Sequence, residues 1–165
     1  MSSSRRALLA GLAGCVLLGA CGFQLRGQAS YAFRSIYVNA PAYPAFATDL
    51  RRALAGAGSA SVTETPAAAQ VVIDITLVAD DKQVLSLSPG GRVQEYALAK
   101  AVSFRVHDPD GREWLKPDDI VVRRAYTYDD TERLAREIQE QRLLAEMQSD
   151  AIAQIVRRLQ AASKP

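Results

Sequence analysis

The sequence predicts an α+β domain: a mixed sheet of four or five strands with two helices packed on one face, in the order β-α-β-β-β-α. Three observations predict this class. Long runs of alternating apolar residues are joined by tight turns, a helical pattern follows the first strand, and a second helical pattern fills the C-terminal segment. A hydrophobic fraction of 48% and a charged fraction of 23% over 165 residues are those of an ordinary globular chain.

The domain is predicted to begin with a strand and a helix. Residues 35–39 (Ser-Ile-Tyr-Val-Asn) are mostly β-branched or aromatic. Apolar residues at spacings of three and four then predict a helix from Tyr43 or Ala45 to about Ala57, which glycines end. A strand, a helix and a further strand indicate a parallel crossover. Residues 61–64 can add a short strand, which would be the fifth of the sheet.

Three long strands follow, joined by tight turns. Residues 70–88 indicate one long or bulged strand, Pro89-Gly90-Gly91 a turn, and residues 92–107 the returning strand. A second turn, Asp108-Pro109-Asp110-Gly111, leads to a strand over residues 112–128, which a central proline is predicted to break.

The alternation within these strands predicts the core. In the first long strand the odd-numbered residues are apolar, and their phase predicts that Leu85 and Leu87 continue the same face. In the returning strand the even-numbered face is apolar except for Lys100. Its apolar members are Tyr96, Leu98, Val102, Phe104 and Val106. In the third strand the shared face holds Ile120, Val122, Tyr126 and Tyr128.

The last helix is predicted to be long. Asp129 or Asp130 can cap a helix that starts at Thr131 and runs to residue 162. At 1.5 Å per residue it would be about 48 Å long, so one end should project beyond the sheet. Its apolar stripe is Leu134, Ile138, Leu144, Met147, Ala151, Ile155 and Leu159. The ion pairs predicted on its outer side are Arg133–Glu137, Arg136–Glu140 and Arg142–Glu146.

The N-terminus is predicted to be an export signal. Arg5 and Arg6 precede the uncharged, apolar residues 7–20, a stretch that is short for a transmembrane helix. Leu18-Gly19-Ala20-Cys21 has the form of a bacterial lipobox, in which Cys21 receives diacylglycerol and, after cleavage before it, an N-acyl chain. An ordinary signal with a chance cysteine is the alternative. We therefore divide the chain into a signal peptide (1–20), a lipidated tether (21–34) and a single domain (35–162).

Removal of the signal changes the charge of the chain. Without Arg5 and Arg6, 18 of the 20 lysines and arginines remain, against 18 aspartates and glutamates. The mature chain is therefore neutral and has no basic stripe, so nucleic acid is not an expected partner. Three acyl chains on Cys21 would anchor it to a bilayer without spanning the bilayer. By resemblance to sorted lipoproteins, Gly22 favours the outer membrane.

Catalytic chemistry is sparse in the mature sequence. Cys15 leaves with the signal and Cys21 is expected to be acylated, so no thiol nucleophile remains. The one histidine, His107, is interpreted as a solvated turn residue, although it could pair with Asp108 or Asp110. Adjacent aspartates lack the ligand spacing of a calcium loop. We therefore expect neither an enzyme nor a metal site, and no cofactor beyond the lipid on Cys21.

A family resemblance covers nearly the whole mature chain. Residues 21–27 (Cys-Gly-Phe-Gln-Leu-Arg-Gly) resemble the mature N-terminus of the LptE (RlpB) family of lipopolysaccharide-assembly lipoproteins. Residues 94–98 on the returning strand, residues 123–126 on the next strand and the long last helix follow the same plan. The resemblance implies a non-enzymatic plug in the lumen of the outer-membrane β-barrel LptD, facing the periplasm. It would help to assemble that barrel and to insert lipopolysaccharide into the outer leaflet.

The same resemblance implies that lipopolysaccharide is bound by basic side chains. At the start of the last helix the matching residue is Arg136, for which an ion pair with Glu140 is the alternative role. The family's basic residue beside the hairpin falls near Pro89 in this sequence. Arg92, and further along the strand Lys100, are therefore the candidate contacts, with a solvated hairpin flank as the alternative for Arg92.

Two other functions remain open from the sequence. A tethered periplasmic lipid-binding or chaperone module, not bound to a barrel, would need a sizeable apolar pocket between the sheet and the helices. An envelope hydrolase would depend on His107.

Overall fold

The fold consists of a five-stranded sheet and two helices. A computed structural model describes residues 31–58, 60–127 and 133–162, the first three residues of the last range as backbone only. The elements are β1 (Ser35–Asn39), α1 (Pro44–Ala57), β2 (Ser61–Val62), β3 (Val71–Leu87), β4 (Val93–His107), β5 (Glu113–Thr127) and α2 (Arg133–Ala161), with a 3-10 turn at Pro66–Ala68. The predicted α+β class is confirmed, and β2 brings the number of strands to five.

The sheet is mixed, with the strand order β2-β1-β3-β4-β5. β1 is parallel to both of its neighbours, β2 and β3. The pairs β3–β4 and β4–β5 are antiparallel hairpins. Helix α1 forms the crossover that parallel strands require, so the predicted parallel connection is confirmed.

A single core lies between the sheet and the helices. The even-numbered face of β4 is buried as predicted, and the interior residues of α2 pack over this side of the sheet. The α2 residues that are fully or nearly fully buried are Met147, Ala151, Ile152, Ile155, Val156 and Leu159. α1 adds Phe46, Ala47, Leu50 and Leu54 to the same cluster. The C-terminal two-thirds of the predicted α2 stripe is therefore correct.

A bulge in β3 reverses the predicted phase of its distal half. Ile75 lies opposite Phe104, but the next aligned pair is Leu77 and Ser103, so Thr76 is an extra residue. The Thr76 hydroxyl donates to the Ser103 carbonyl at 3.2 Å. Because directly opposed residues share a face, Leu77 and the odd-numbered residues just after it lie on the face away from the helices. Farther along β3, Leu85 and Leu87 are 56% and 57% exposed, so the predicted continuation of the core at these residues is wrong.

A second bulge keeps β5 continuous where a break was predicted. Asp118 lies opposite Phe104 and Leu115 lies opposite Val106, so one additional residue is accommodated around Pro117. A bulge tolerates a proline because the extra residue does not join the ladder of hydrogen bonds. The predicted core residues of β5 are buried as expected: Ile120, Val122 and Tyr126. Tyr128 lies outside the described residues.

The N-terminal half of α2 extends beyond the apolar core. Over its 29 residues α2 is about 43 Å long. Ile138, predicted to be part of the buried stripe, is 65% exposed, so this prediction is wrong. The predicted caps Asp129 and Asp130, the start at Thr131, and the side chains of Arg133 and Leu134 lie outside what the structure describes.

Aromatic residues join the segment before β1 to the core. Tyr31 and Phe33 are buried, and their rings stack with centroids 5.0 Å apart. Phe33 also meets Trp114 of β5 edge-on at 5.9 Å. The last part of the segment assigned to the tether is therefore anchored in the domain at residues 31–33.

Two isoleucines of α2 test the position of the core. Ile155 is 0% exposed and Ile138 is 65% exposed on the same helix. We expect Ile155→Ala to lower the free energy of unfolding by about 2–5 kcal/mol, because it leaves a cavity in the core. Ile138→Ala should change it by no more than about 0.5 kcal/mol. Urea unfolding measures both variants, and equal losses would contradict the packing described.

Candidate functional site

Arg136 is held against the end of the sheet. Its Nη1 atom donates to the Thr127 carbonyl at 3.0 Å and to Gln139 Oε1 at 3.2 Å. The predicted ion pair with Glu140 does not form, because the Glu140 carboxylate is bonded to other groups. In the described part of the chain no carboxylate neutralises Arg136. A planar guanidinium in this state can still offer donors to a phosphate.

Arg92 stands on the turn between β3 and β4. The Ser88 amide donates to the Arg92 carbonyl at 2.7 Å, and the Arg92 amide donates to the Ser88 hydroxyl at 3.1 Å. Gly91 has a φ of 77°, a left-handed conformation that favours glycine. The backbone of Arg92 is thus fixed, whereas its side chain is exposed and has no ion-pair partner among the described residues.

The structure brings Arg92 and Arg136 to the same end of the sheet. Arg136 contacts the carbonyl of Thr127, and Thr127 lies directly opposite Glu95, three residues after Arg92. We call this end of the sheet, where the β3–β4 turn lies, the distal end. The predicted pairing of the two regions in one site is therefore geometrically possible.

Lys100 lies elsewhere and is buried. It is opposite Val122, five positions along β4 from Glu95, or about 17 Å from it at 3.3 Å per residue. The residue is 3% exposed, and its Nζ atom lies 2.5 Å from Asp80 Oδ1. The ammonium group that interrupts the apolar face of β4 is thus compensated by an acidic partner on the neighbouring strand.

A polar cluster that the sequence did not reveal joins α2 to the distal end. Glu140 Oε2 accepts hydrogen bonds from Lys82 Nζ and from the Tyr126 hydroxyl, each at 2.5 Å. The Lys82 ammonium also lies 4.2 Å from the centroid of the Tyr96 ring, which stacks with Tyr126. We call these four residues, Lys82, Tyr96, Tyr126 and Glu140, the distal clamp. No local signal could have revealed it, because Lys82 and Glu140 are 58 residues apart.

The distal clamp perturbs the ionisation of its members. Burial alone would raise the pKa of Glu140, but the hydrogen bonds from Lys82 and Tyr126 outweigh it and lower that pKa. Burial opposes charge on Lys82 as well, yet its contacts with Glu140 and Tyr126 raise its pKa. Burial and the carboxylate together raise the pKa of Tyr126. The clamp is therefore a charged Lys–Glu pair around a neutral tyrosine at neutral pH.

His107 belongs to a polar cluster rather than to a solvated turn. Its Nε2 atom lies 3.1 Å from Asp74 Oδ2, and its Nδ1 atom lies 2.6 Å from the Asp108 carbonyl oxygen. Arg105 and Asn39 also donate to the Asp74 carboxylate, at 2.7 Å each. Burial would raise the pKa of Asp74, but these donors lower it. The interpretation of His107 as a solvated turn residue is wrong, and the cluster ties β1, β3 and β4 together.

The interior of the described domain is packed. The residues between the sheet and the helices form one core cluster, which counts against a lipid pocket at that place. A cleft of about 800 Å³ lies instead between α1 and α2, with the exposed residues Arg52 and Arg157 among its lining. Among the described residues no group of three or more His, Cys, Asp or Glu is placed to hold a metal ion.

Membrane attachment is not visible in the described elements. Neither described helix combines the length and the apolar character needed to cross a bilayer. Cys21, the predicted lipidation site, and the signal peptide 1–20 lie outside the described residues.

These features define a class, a small two-layer α+β domain with a packed core that presents basic side chains at one end of its sheet. A family model described as LptE, lipopolysaccharide-assembly, matches residues 33–159. The chain belongs to the LptE family, as the sequence resemblance predicted. It is therefore a lipoprotein of lipopolysaccharide assembly, and that family is non-enzymatic.

Solved structures agree with this assignment. The solution structure of uncharacterized lipoprotein B from Nitrosomonas europaea is 34% identical, covers 85% of this chain and 91% of its own, and superposes with a TM-score of 0.75. The crystal structure of rare lipoprotein B from Shewanella oneidensis is 26% identical and covers 78% of this chain and 95% of its own, with a TM-score of 0.66.

A third structure shows the fold alone. The minor lipoprotein from Acinetobacter baumannii is 20% identical and covers 82% of this chain and 100% of its own, with a TM-score of 0.67. No curated protein matches the sequence.

The distal clamp predicts a pH-dependent contribution to stability. At pH 7 we expect Glu140→Gln to lower the free energy of unfolding by about 1–2 kcal/mol, because a charged acceptor is lost from a partly exposed site. The folded-state pKa of Glu140 lies below its ordinary value of 4.5. Its contribution is therefore complete above that pH and is lost as the pH falls through the lowered value.

Urea unfolding at pH 7 and pH 3 measures this difference, which should shrink at pH 3. Glu146→Gln is the matched control, since Glu146 pairs only with the exposed Arg142 in the described part of α2. An undiminished difference between wild type and Glu140→Gln at pH 3 would refute the role given to the carboxylate.

Proposed function

We propose that the protein is an outer-membrane lipoprotein that plugs the β-barrel LptD, helps that barrel to assemble, and assists the insertion of lipopolysaccharide into the outer leaflet. The observation that carries the proposal is the match of the LptE family over residues 33–159, which is nearly the whole described domain. The packed core also supports the proposal. A domain without a pocket in its core binds its partners through its surface.

The face of the sheet away from the helices suits a close neighbour. On this face β4 carries small side chains at Ala97, Ala99, Ala101 and Ser103. Side chains this short let another protein surface approach the backbone of the sheet. An enclosing barrel wall would therefore find a flat surface there, whereas the helices would face the opposite wall.

Lipid on Cys21 would hold the domain at the membrane. Tyr31 is buried in the domain and is ten residues from Cys21, which limits the tether to about 33–36 Å. A diacylglycerol and an N-acyl chain would insert in the periplasmic leaflet of the outer membrane. The proposed location is therefore the outer membrane, with the domain inside the barrel lumen and accessible from the periplasm.

Lipopolysaccharide is the proposed ligand of the distal end. Arg136 has no carboxylate partner in the described chain, and Arg92 is exposed on a turn with a fixed backbone. Both guanidinium groups can donate to anionic head groups. Lys100 would have to leave Asp80 and the core to reach a phosphate, so we restrict the proposed contact to the two arginines.

Purification tests the partner. When the lipoprotein is isolated from gently solubilised outer membranes, we expect a large β-barrel to accompany it in a stoichiometric complex. A tagged, unrelated outer-membrane lipoprotein is the control for nonspecific co-purification. If the protein is recovered without a barrel, it is a free periplasmic module and the proposed function is wrong.

Charge reversal tests the lipid contact. We expect Arg92→Glu with Arg136→Glu to weaken binding to purified lipopolysaccharide about tenfold or more. The two substitutions replace hydrogen-bond donors to phosphate by carboxylates, which repel it. Association with the barrel should be intact.

The matched control is Arg123→Glu with Arg142→Glu, which makes the same change in net charge at exposed residues of β5 and α2. If the two double variants bind lipopolysaccharide with equal affinity, Arg92 and Arg136 are not part of the site.

A further inference from the structure

Exposed apolar side chains are concentrated at one place in the described chain. Of the six large apolar residues that are exposed in the described chain, three lie within four consecutive positions of β3. These three are Val84, Leu85 and Leu87, with exposed fractions of 51%, 56% and 57%. We call them the apolar tip. Single exposed apolar residues are ordinary, but a group of them marks an interaction site.

The strand geometry explains why the apolar tip is outside the core. Val84 lies opposite Tyr96 and Ser86 lies opposite Glu95, so the intervening Leu85 has no partner in the ladder. The Ser86 hydroxyl donates to the Glu95 carboxylate at 2.8 Å, which fixes the irregular pairing. The core ends at this level of the sheet, since Tyr96 is the last partly buried residue of β4 on the helix side.

Charge beside the apolar tip restricts what can bind there. The uncompensated cation beside the tip is Arg92, which is exposed and has no ion-pair partner among the described residues, whereas Lys82 is paired with Glu140. Arg92 follows Leu87 across the turn, with Val93 directly opposite Leu87. An apolar surface next to an unpaired guanidinium matches an amphiphile that combines acyl chains with an anionic head group. A partner without anionic groups would leave the arginine unmatched.

We propose that the apolar tip is the acyl-chain contact of lipopolysaccharide, with Leu85 and Leu87 against the lipid chains and Arg92 at the phosphate. This inference rests on the proposed function, which names lipopolysaccharide as the ligand. It adds a contact for the acyl chains, which the basic residues do not bind. The hairpin is thus an amphipathic arm. Its apolar side chains remain exposed because the lipid, and not the core, covers them.

Two forms of the ligand, with and without acyl chains, test the contact. The mature lipoprotein is placed in nanodiscs of neutral phospholipid, and its binding is measured to intact lipopolysaccharide and to lipopolysaccharide whose acyl chains have been removed. We expect Leu85→Ser with Leu87→Ser to weaken binding of the intact ligand about tenfold and to leave binding of the deacylated ligand unchanged. Leu85→Ser alone should give a smaller loss of the same kind.

Matched variants separate this effect from a general one. Val121→Ser with Ile138→Ser removes two other exposed apolar side chains and should change neither binding constant. Urea unfolding should show that the tip variant is as stable as wild type, because its residues are exposed. Wild-type affinity of the tip variant for intact lipopolysaccharide would overturn the inference, as would an equal loss for both ligands.

The barrel is the competing occupant of the apolar tip. Loss of barrel co-purification in the tip variant, with binding of intact lipopolysaccharide retained, would assign the tip to the barrel and overturn the inference. The proposed function fails by a different result, the absence of any barrel in the complex purified with the wild-type protein.

Discussion

The packing of α2 across the central strands forms most of the core and sets the position of the distal end. Met147, Ile155 and Leu159 of α2 are fully buried over a sheet face that includes Phe104. This contact is strong only in the C-terminal half of the helix, since Ile138 near its start is exposed. The N-terminal half must therefore be held by other means, and the distal clamp supplies them through the carboxylate of Glu140. Apolar packing thus fixes one end of the helix, and hydrogen bonds fix the other.

Because the core occupies the other end of the sheet, the candidate ligand contacts lie at the distal end. There the core has ended, so side chains that are not needed for packing are free to contact a partner. Arg136 sits one turn before the Glu140 contact, and Arg92 and the apolar tip lie on the adjoining hairpin. A basic and apolar surface at the end of a rigid sheet is suited to an amphiphilic ligand. Lys100 shows the opposite arrangement, since its side chain is buried and its ammonium group pairs with Asp80 of the neighbouring strand.

The sequence predicted those features that depend on local spacing. Alternation located each end of β3, β4 and β5 to within one residue, and the family resemblance rested on motifs that span the chain. Features that depend on register could not be predicted. The extra residue at Thr76 reverses the faces of β3, and nothing in the alternation of that strand marks it. The partners of Glu140 and His107 are distant in sequence, so their pairing required the aligned strands.

Crosslinking from opposite faces of the domain in living cells tests whether a barrel encloses it. A photoreactive residue would replace Ala99 on the open face of the sheet or Ala153 on the exposed side of α2. An enclosed domain must meet barrel wall on both sides, so we expect both positions to crosslink to the same β-barrel. Crosslinks from one position only would show a domain docked beside a barrel, and crosslinks from neither would show that no barrel surrounds the domain.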